Sequence, residues 1–464
     1  MSQASLTAFH CRTLVLALIT ALTGCGALQR TDFVPPATQT PAQWTHRTTG
    51  QEVEMAPWWQ AFGDDALNRL IDQALRTNNN LAVAALKVRR AQLLAGLATD
   101  ARRPALTAGV NSAGNKRLDQ SGGTFRSGSA NLTVSYEADL WGRLAANEDA
   151  QRWEALATEQ DRQSTALSLI GTTAELYWQG AYLNQRLATS LQNIAYAQTT
   201  LELVRTRHQA GAVSALDVLQ AEQTLTGLQA THTGLLQQQV ENDNALAILF
   251  DSPPGQRFAL PARLPQQALP ALAAGLPADL LARRPDLRAA ELRLREALAT
   301  VDATRLNYYP RLNLTGALGT SSDALLDLLK NPIATLGAGL TLPFLQYNAM
   351  RLNVQVSQAD YESAVANFRQ ALYAAFSDVE NALSARRQTA QQEQLLRQNL
   401  AAAQQVEQLY ALRYRAGSAT LQNWLDAQDK RRAAEIALAE TRLNRLKNQM
   451  TLYQALGGGL PAPT

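Results

Sequence analysis

Residues 130–140, Ala130-Asn131-Leu132-Thr133-Val134-Ser135-Tyr136-Glu137-Ala138-Asp139-Leu140, alternate apolar and polar side chains without a fault. A strict period of two describes a β-strand with one oily and one wet face. Residues 334–342 repeat the pattern, with Ala334, Leu336, Ala338, Leu340 and Leu342 opposite Thr335, Gly337, Gly339 and Thr341. Weaker versions occupy 105–111 and 311–318. Each stretch approaches the roughly 9 to 11 residues that a tilted strand needs to cross a bilayer. The four strands are expected to pair as two hairpins, closed by 114–129 and 320–332. Trp141, Tyr308, Tyr309 and Phe344 fall at the strand ends, where interfacial aromatic girdles are expected.

Four strands cannot close a barrel, and an open edge in lipid leaves backbone groups unsatisfied at several kcal/mol each. Strands that span must therefore be shared between copies. The plainer alternative is a small soluble sheet. It does not account for the rest of the chain.

A short start with Arg12 precedes an apolar run over 13–22 and then Leu22-Thr23-Gly24-Cys25. The run is too short for a finished transmembrane helix and has the form of a removable signal peptide. Small residues before Cys25 suit a lipoprotein peptidase, so Cys25 is the expected lipidation site and the new N-terminus. Gly26 rather than Asp after it favours export to the outer membrane. Cleavage also removes Cys11, which leaves no internal disulfide and no Cys metal site. No cofactor is expected beyond the covalent lipid on Cys25. With 42 basic and 39 acidic residues the chain has no nucleic-acid footprint. His46, His208 and His232 are too scattered to suggest a metal cluster. No Ser/His/Asp group or phosphate loop is visible, so no enzyme is expected.

The chain is duplicated. Pro104-Ala105-Leu106 and Pro310-Arg311-Leu312 open the two hairpins, 206 positions apart; Asn80-Leu81 and Asp286-Leu287 keep that offset. So do Arg207-His208-Gln209-Ala210-Gly211 and Arg413-Tyr414-Arg415-Ala416-Gly417. A constant offset at distant anchors marks two copies of one unit: helix, strand hairpin, very long helix, tight turn, long helix. Residues 143–209 lack Pro and contain only Gly171 and Gly180, room for a helix of about 100 Å at 1.5 Å per residue. Leu187, Leu191, Ile194, Leu201 and Val204 form a heptad-like stripe, expected to meet Leu216, Leu219, Leu225, Leu228 and Leu235 beyond the turn.

These features resemble the outer membrane factors of the TolC and OprM type, in the lipoprotein branch called the NodT family. The resemblance rests on Trp58-Trp59-Gln60-Ala61-Phe62, Arg284-Pro285-Asp286-Leu287-Arg288-Ala289-Ala290-Glu291, Tyr309-Pro310-Arg311-Leu312 and the two glycine turns. The fold it implies is mainly α with a membrane β-barrel portion. Four strands per protomer would close a shared twelve-stranded barrel in a homotrimer, beside a long α-helical barrel and a mixed equatorial region. The organisation read from the sequence is signal peptide 1–24, lipidated segment 25–56, repeat one 57–252, linker 253–276, repeat two 277–457 and tail 458–464.

The function implied is a passive outer membrane channel, lipid-anchored in a Gram-negative bacterium and extending into the periplasm. It would carry small molecules, drugs among them, from an inner-membrane pump of the RND type through a periplasmic adaptor. Protein secretion of type I and a non-channel envelope lipoprotein are the alternatives. Thr133, Ser135, Glu137 and Asp139 would line the barrel lumen. Gly211, Ala212, Gly417 and Ser418 would form the tips that dock the adaptor. Asp217 and Asp426 match gate carboxylates, Tyr414 matches a gate tyrosine able to bond to Asp217, and Asn423 replaces a further acid. Family members often carry Arg just after the tip glycine; Ala419 stands there, with Arg413 and Arg415 as candidates to replace it. On spacing alone, Asp217 and Asp426 read first as residues that cap or solvate a helix start.

Overall fold

The computed structural model describes residues 30–46, 57–116, 125–270, 272, 274–322 and 332–458. Cys25, the signal peptide and the tail beyond Gly458 lie outside them.

The elements run α1 (Asp65–Thr77), α2 (Asn79–Asp100), β1 (Ala105–Asn115), β2 (Phe125–Ala138), α3 (Arg143–Gln209) and α4 (Ala215–Leu249). After the linker come α5 (Pro285–Leu306), β3 (Arg311–Ser322), β4 (Pro332–Thr341), α6 (Tyr347–Arg415) and α7 (Leu421–Ala455). The second half repeats the first in register. α2 and α5 begin at 79 and 285, β1 and β3 at 105 and 311, and α4 and α7 span 215–249 and 421–455, always 206 apart. No described helix is long and apolar enough to cross a membrane.

Two compact units emerge, and each takes pieces from both halves of the chain. The described residues of Met1–Thr38, Leu86–Gln160 and Arg288–Ala371 make one; those of Gln39–Ala85, Asp161–Leu287 and Leu372–Thr464 make the other.

The first unit holds an antiparallel sheet in the order β1-β2-β3-β4. Its register stacks like with like. Leu106, Val134, Gly316 and Leu336 lie in one row, and Thr107, Thr133, Ala317 and Thr335 in the next. Because facing residues of an antiparallel ladder share a side, the rows make one continuous apolar face and one polar face. The apolar face is bare: Leu336 is 93% exposed, and Leu106, Val110 and Leu340 are also exposed. β1 and β4 are the outer strands. At the foot of the sheet, Trp141 Nε1 donates to the Pro310 carbonyl at 2.9 Å and its ring meets Tyr309 edge-on at 5.4 Å. Both rings pack against Ala146, Ala303 and Leu306. They serve this junction, whereas Phe344 is exposed.

In the second unit the 58–62 motif builds a core. Trp58 stacks on Tyr453 at 4.7 Å and Phe62 contacts both Trp178 and Tyr453. Arg284 pairs with Asp286 at 2.7 Å and Asp378 at 3.1 Å and donates to the Ala455 carbonyl, so the Arg-Pro-Asp motif ties α5 to α6 and α7. Pro285 occupies the first position of α5, where its missing N–H costs nothing. The expected seam between α3 and α4 is only partly made. Leu201, Val204 and Leu235 are buried, but Leu191, Leu216 and Leu219 are 55%, 63% and 62% exposed. The ends of α3 and α4 instead share a core with α6 and α7.

Candidate functional site

Both long helices end in the same cap. At the first tip, Ala212 N–H donates to the Arg207 carbonyl at 2.8 Å and Gly211 N–H to His208 at 2.9 Å; at the second, Ser418 donates to Arg413 at 2.9 Å and Gly417 to Tyr414 at 3.1 Å. These paired bonds are the Schellman motif, which requires a left-handed residue after the helix. Gly211 and Gly417 supply it with φ of 74° and 75°. A Cβ at either would meet open space, so glycine is there for its backbone rather than for room. Gly211, Ala212, Gly417 and Ser418 are all exposed.

The restarting helices differ. Ser214 and Asp217 make a complete capping box: Asp217 Oδ2 accepts from the Ser214 N–H at 2.9 Å and from its hydroxyl at 2.7 Å. At the equivalent second start, Thr420 Oγ1 accepts from the Asn423 N–H at 3.3 Å. Asn423 is therefore the counterpart of Asp217. Asp426 lies one turn further on, exposed, and accepts from Gln422 at 2.6 Å. The two carboxylates read from the sequence as a pair occupy different positions, and Asp217 is engaged in capping.

The tips are joined by a residue the sequence reading passed over. Arg207 Nη1 donates to the Tyr414 carbonyl at 2.7 Å and Nη2 to the Arg415 carbonyl at 2.5 Å, while its guanidinium lies 4.8 Å from the Tyr414 ring centroid. A cation at the end of α6 satisfies carbonyls that have no partner within the helix and suits the negative end of its dipole. Within one copy the two tips are thus joined by Arg207. The Tyr414–Asp217 bond is not made within the chain, because the buried Tyr414 hydroxyl has no partner. Burial pushes this phenol up, and the charge of Arg207 partly offsets it. Trp424 stacks on Tyr414 at 5.2 Å and meets Tyr196 edge-on, closing a core with Leu201, Val204 and Leu421. The sequence signals for these residues are faint: Arg207 stands in the repeated Arg-x-x-Ala-Gly stretch, and Trp424 is the lone Trp of the second half.

On the sheet, Thr133 and Ser135 lie on the polar face as expected from the alternation. Glu137 lies on the same face, opposite Asn313, whereas Asp139 falls beyond the strand. β2 ends at Ala138, and Asp139 accepts from the N–H groups of Leu144 at 3.0 Å and Ala145 at 2.9 Å, capping α3. Glu137 pairs with Arg143 at 2.8 Å. The first turn of a helix needs acceptors for its backbone N–H groups, and Asp139 meets that need at the strand–helix junction, while Glu137 accepts from the Arg143 guanidinium.

Comparison with known proteins agrees with this architecture. The family model described as outer membrane efflux protein matches residues 70–250 and 276–458. The pyoverdine export outer membrane protein OpmQ of Pseudomonas putida is 34% identical, with 91% of this chain and 92% of that protein covered. The toluene efflux pump outer membrane protein TtgF of the same species is 31% identical over 96% of each. Among solved structures, the open state of the MtrE outer membrane channel of Neisseria gonorrhoeae superposes with a TM-score of 0.82 at 28% identity, covering 93% of this chain and 98% of that one. With an antiparallel sheet whose apolar face is exposed, doubled helical hairpins and a family match over most of its length, the chain belongs to the outer membrane efflux protein family.

Proposed function

We propose that three copies of this chain form one outer membrane efflux conduit, lipid-anchored at Cys25 and fed through a periplasmic adaptor by an inner-membrane pump. The observation that carries the reading is the sheet. Its apolar face is exposed along its length, and its outer strands offer backbone groups that lipid cannot satisfy. Four strands per copy make twelve in a trimer, a closed barrel with a polar interior lined by Thr133 and Ser135.

A conduit needs no catalytic group. It needs a gate and a rim. The exposed turns at Gly211 and Gly417 fit a docking rim, two per copy and six per trimer. The Arg207 clamp fits a gate, because it ties the end of α3 to the end of α6 through bonds that water can replace. Asp217 and Asp426, repeated by threefold symmetry, would add negative charge around the entrance and favour cations there.

The test is a photo-crosslinking residue at Ser418 in living cells, with the captured protein identified. Capture of a periplasmic adaptor supports the reading. Capture only of other copies, together with no conductance by purified protein in planar bilayers, returns the chain to a structural role in the envelope.

A further inference from the structure

The polar face of the sheet is nearly free of charge. Its rows are built from small neutral side chains, such as Ala105, Ser135, Thr315 and Gly337. Among the described residues of that face only Glu137 and Arg311 are charged, and both stand at its foot, next to the helices.

The two charges are not equivalent. Glu137 accepts from Arg143 Nη2 through both of its oxygens, at 2.8 and 2.9 Å, and from Nε at 3.1 Å. A fork of this kind cancels the carboxylate's charge on the spot. Arg311, in the last row opposite Thr341, is bonded to no carboxylate among the described residues. Its Nη2 donates to the Asn307 carbonyl at 2.8 Å and to Asn307 Oδ1 at 3.3 Å, and its Nε is buried without a bond. Both acceptors are neutral, so they fix the guanidinium just past the end of α5 and leave its charge in place. The helix C-terminus sets only about half a negative charge against it. The next carboxylate along β2, Asp139, is turned to the N–H groups of Leu144 and Ala145, where the positive end of α3 answers it.

At the equivalent place in the first repeat, 206 positions earlier, stands Ala105. Each copy therefore brings one such guanidinium. In a water-filled passage a ring of basic side chains selects for anions, because its field acts on ions that never touch it.

We propose that Arg311 sets the ion preference of the barrel: three guanidiniums, one per copy, ring the end of the lumen nearest the helices and favour anions over cations there. The inference rests on the reading of the polar face as the lumen of a trimer. The solutes favoured at this point are small anions and molecules that carry carboxylate or phosphate groups. The sign is opposite to that of the carboxylates at the helix tips.

Purified protein is set in planar bilayers under a gradient of KCl, and the zero-current voltage gives the ratio of chloride to potassium permeability. Arg311→Gln should lower that ratio at least about twofold near 10 mM salt, where the screening length is about 30 Å, and much less near 1 M, where it is about 3 Å. Arg311→Lys, which keeps the charge and loses the fork, should stay near wild type. Adding Thr341→Arg to Arg311→Gln returns a charge to the same row and should restore the ratio. Where Arg311→Gln fails to insert, Thr341→Arg alone doubles the charge of the row and should raise the ratio. A ratio that is the same in every conducting variant overturns the proposal and leaves the conduit standing. A ratio that falls equally in Arg311→Lys and is not restored by Thr341→Arg confines Arg311 to holding the end of α5, and also overturns it. Wild type that does not conduct overturns both the proposal and the conduit.

Discussion

Replacing Arg207 with Ala tests whether the two tips are held by one side chain. The substitution removes a hydrogen bond of 2.7 Å to the Tyr414 carbonyl, one of 2.5 Å to the Arg415 carbonyl, and the ring contact at 4.8 Å. A bond from a charged donor is worth about 1.5 to 3 kcal/mol when protected. The Arg415 carbonyl is exposed, so water recovers most of the second bond. A partly exposed cation–π contact adds about 0.5 kcal/mol. The sum is about 2 kcal/mol per copy, or roughly thirtyfold in the equilibrium between joined and parted tips. Conductance of purified protein in planar bilayers reads that equilibrium as the fraction of time spent in the most conducting state, which is expected to rise. Arg207→Lys should fall between, since it keeps a cation but loses the fork. Arg413→Ala, at an exposed side chain, should behave as wild type. An open fraction unchanged in Arg207→Ala, or raised equally by Arg413→Ala, refutes the clamp.

On the sheet, Leu336→Arg should reduce folded trimer in membranes by about 2 to 4 kcal/mol, while Thr335→Arg on the opposite face leaves assembly intact; gel mobility of unheated samples distinguishes them. Gly417→Val forces a branched side chain to φ of 75° and should cost about 1 to 2 kcal/mol of thermal stability, with Gly417→Asn milder. Burial pushes the Glu393 carboxyl up, but the bonds it accepts from Arg445, Arg397 and Arg442 outweigh this and hold it at about 2 rather than 4.5, so its contribution is full above pH 4.5 and lost as pH falls through 2. It amounts to about 3 kcal/mol at most, and Glu393→Gln should flatten the fall in melting temperature over that window. Cys25→Ser should abolish palmitate labelling in cells and weaken retention in the outer membrane fraction.

Periodicity carried most of the fold because both of its elements are long and their patterns uninterrupted. The α3 bounds, Arg143 to Gln209, follow from the absence of Pro and the glycine after the last turn. β2 ends two residues before the alternation does: the pattern continues through Asp139 and Leu140, although Asp139 already serves the next helix. Alternation records which side a residue faces, and it is silent about which backbone N–H groups need an acceptor. The same limit applied at the tips. Asp217 and Asp426 look alike in sequence, yet one closes a capping box and the other lies past it. Arg207 could not be singled out because its partners are main-chain carbonyls, which carry no sequence signature.

The duplication also exposes a difference in what each half is for. α4 and α7 have equal length and matched register, but seventeen residues of α7 are buried against five of α4. α7 packs into its own chain, with Trp424 and Tyr453 in separate cores. α4 leaves Leu216, Leu219, Leu236, Val240 and Ile248 exposed. Each such side chain forgoes about 1.5 to 3 kcal/mol that burial would provide. The open sheet makes the same demand through its backbone, since β1 and β4 have unpaired edges. Two unrelated physical terms, apolar area on a helix and hydrogen bonds on a strand, are thus both unsatisfied in one copy, and the proposed trimer would give each a partner. A variant that restores solubility to α4 by Leu216→Gln and Leu219→Gln should therefore weaken the trimer without unfolding the protomer. A trimer that withstands heat and detergent as wild type does would show that α4 faces something other than another copy.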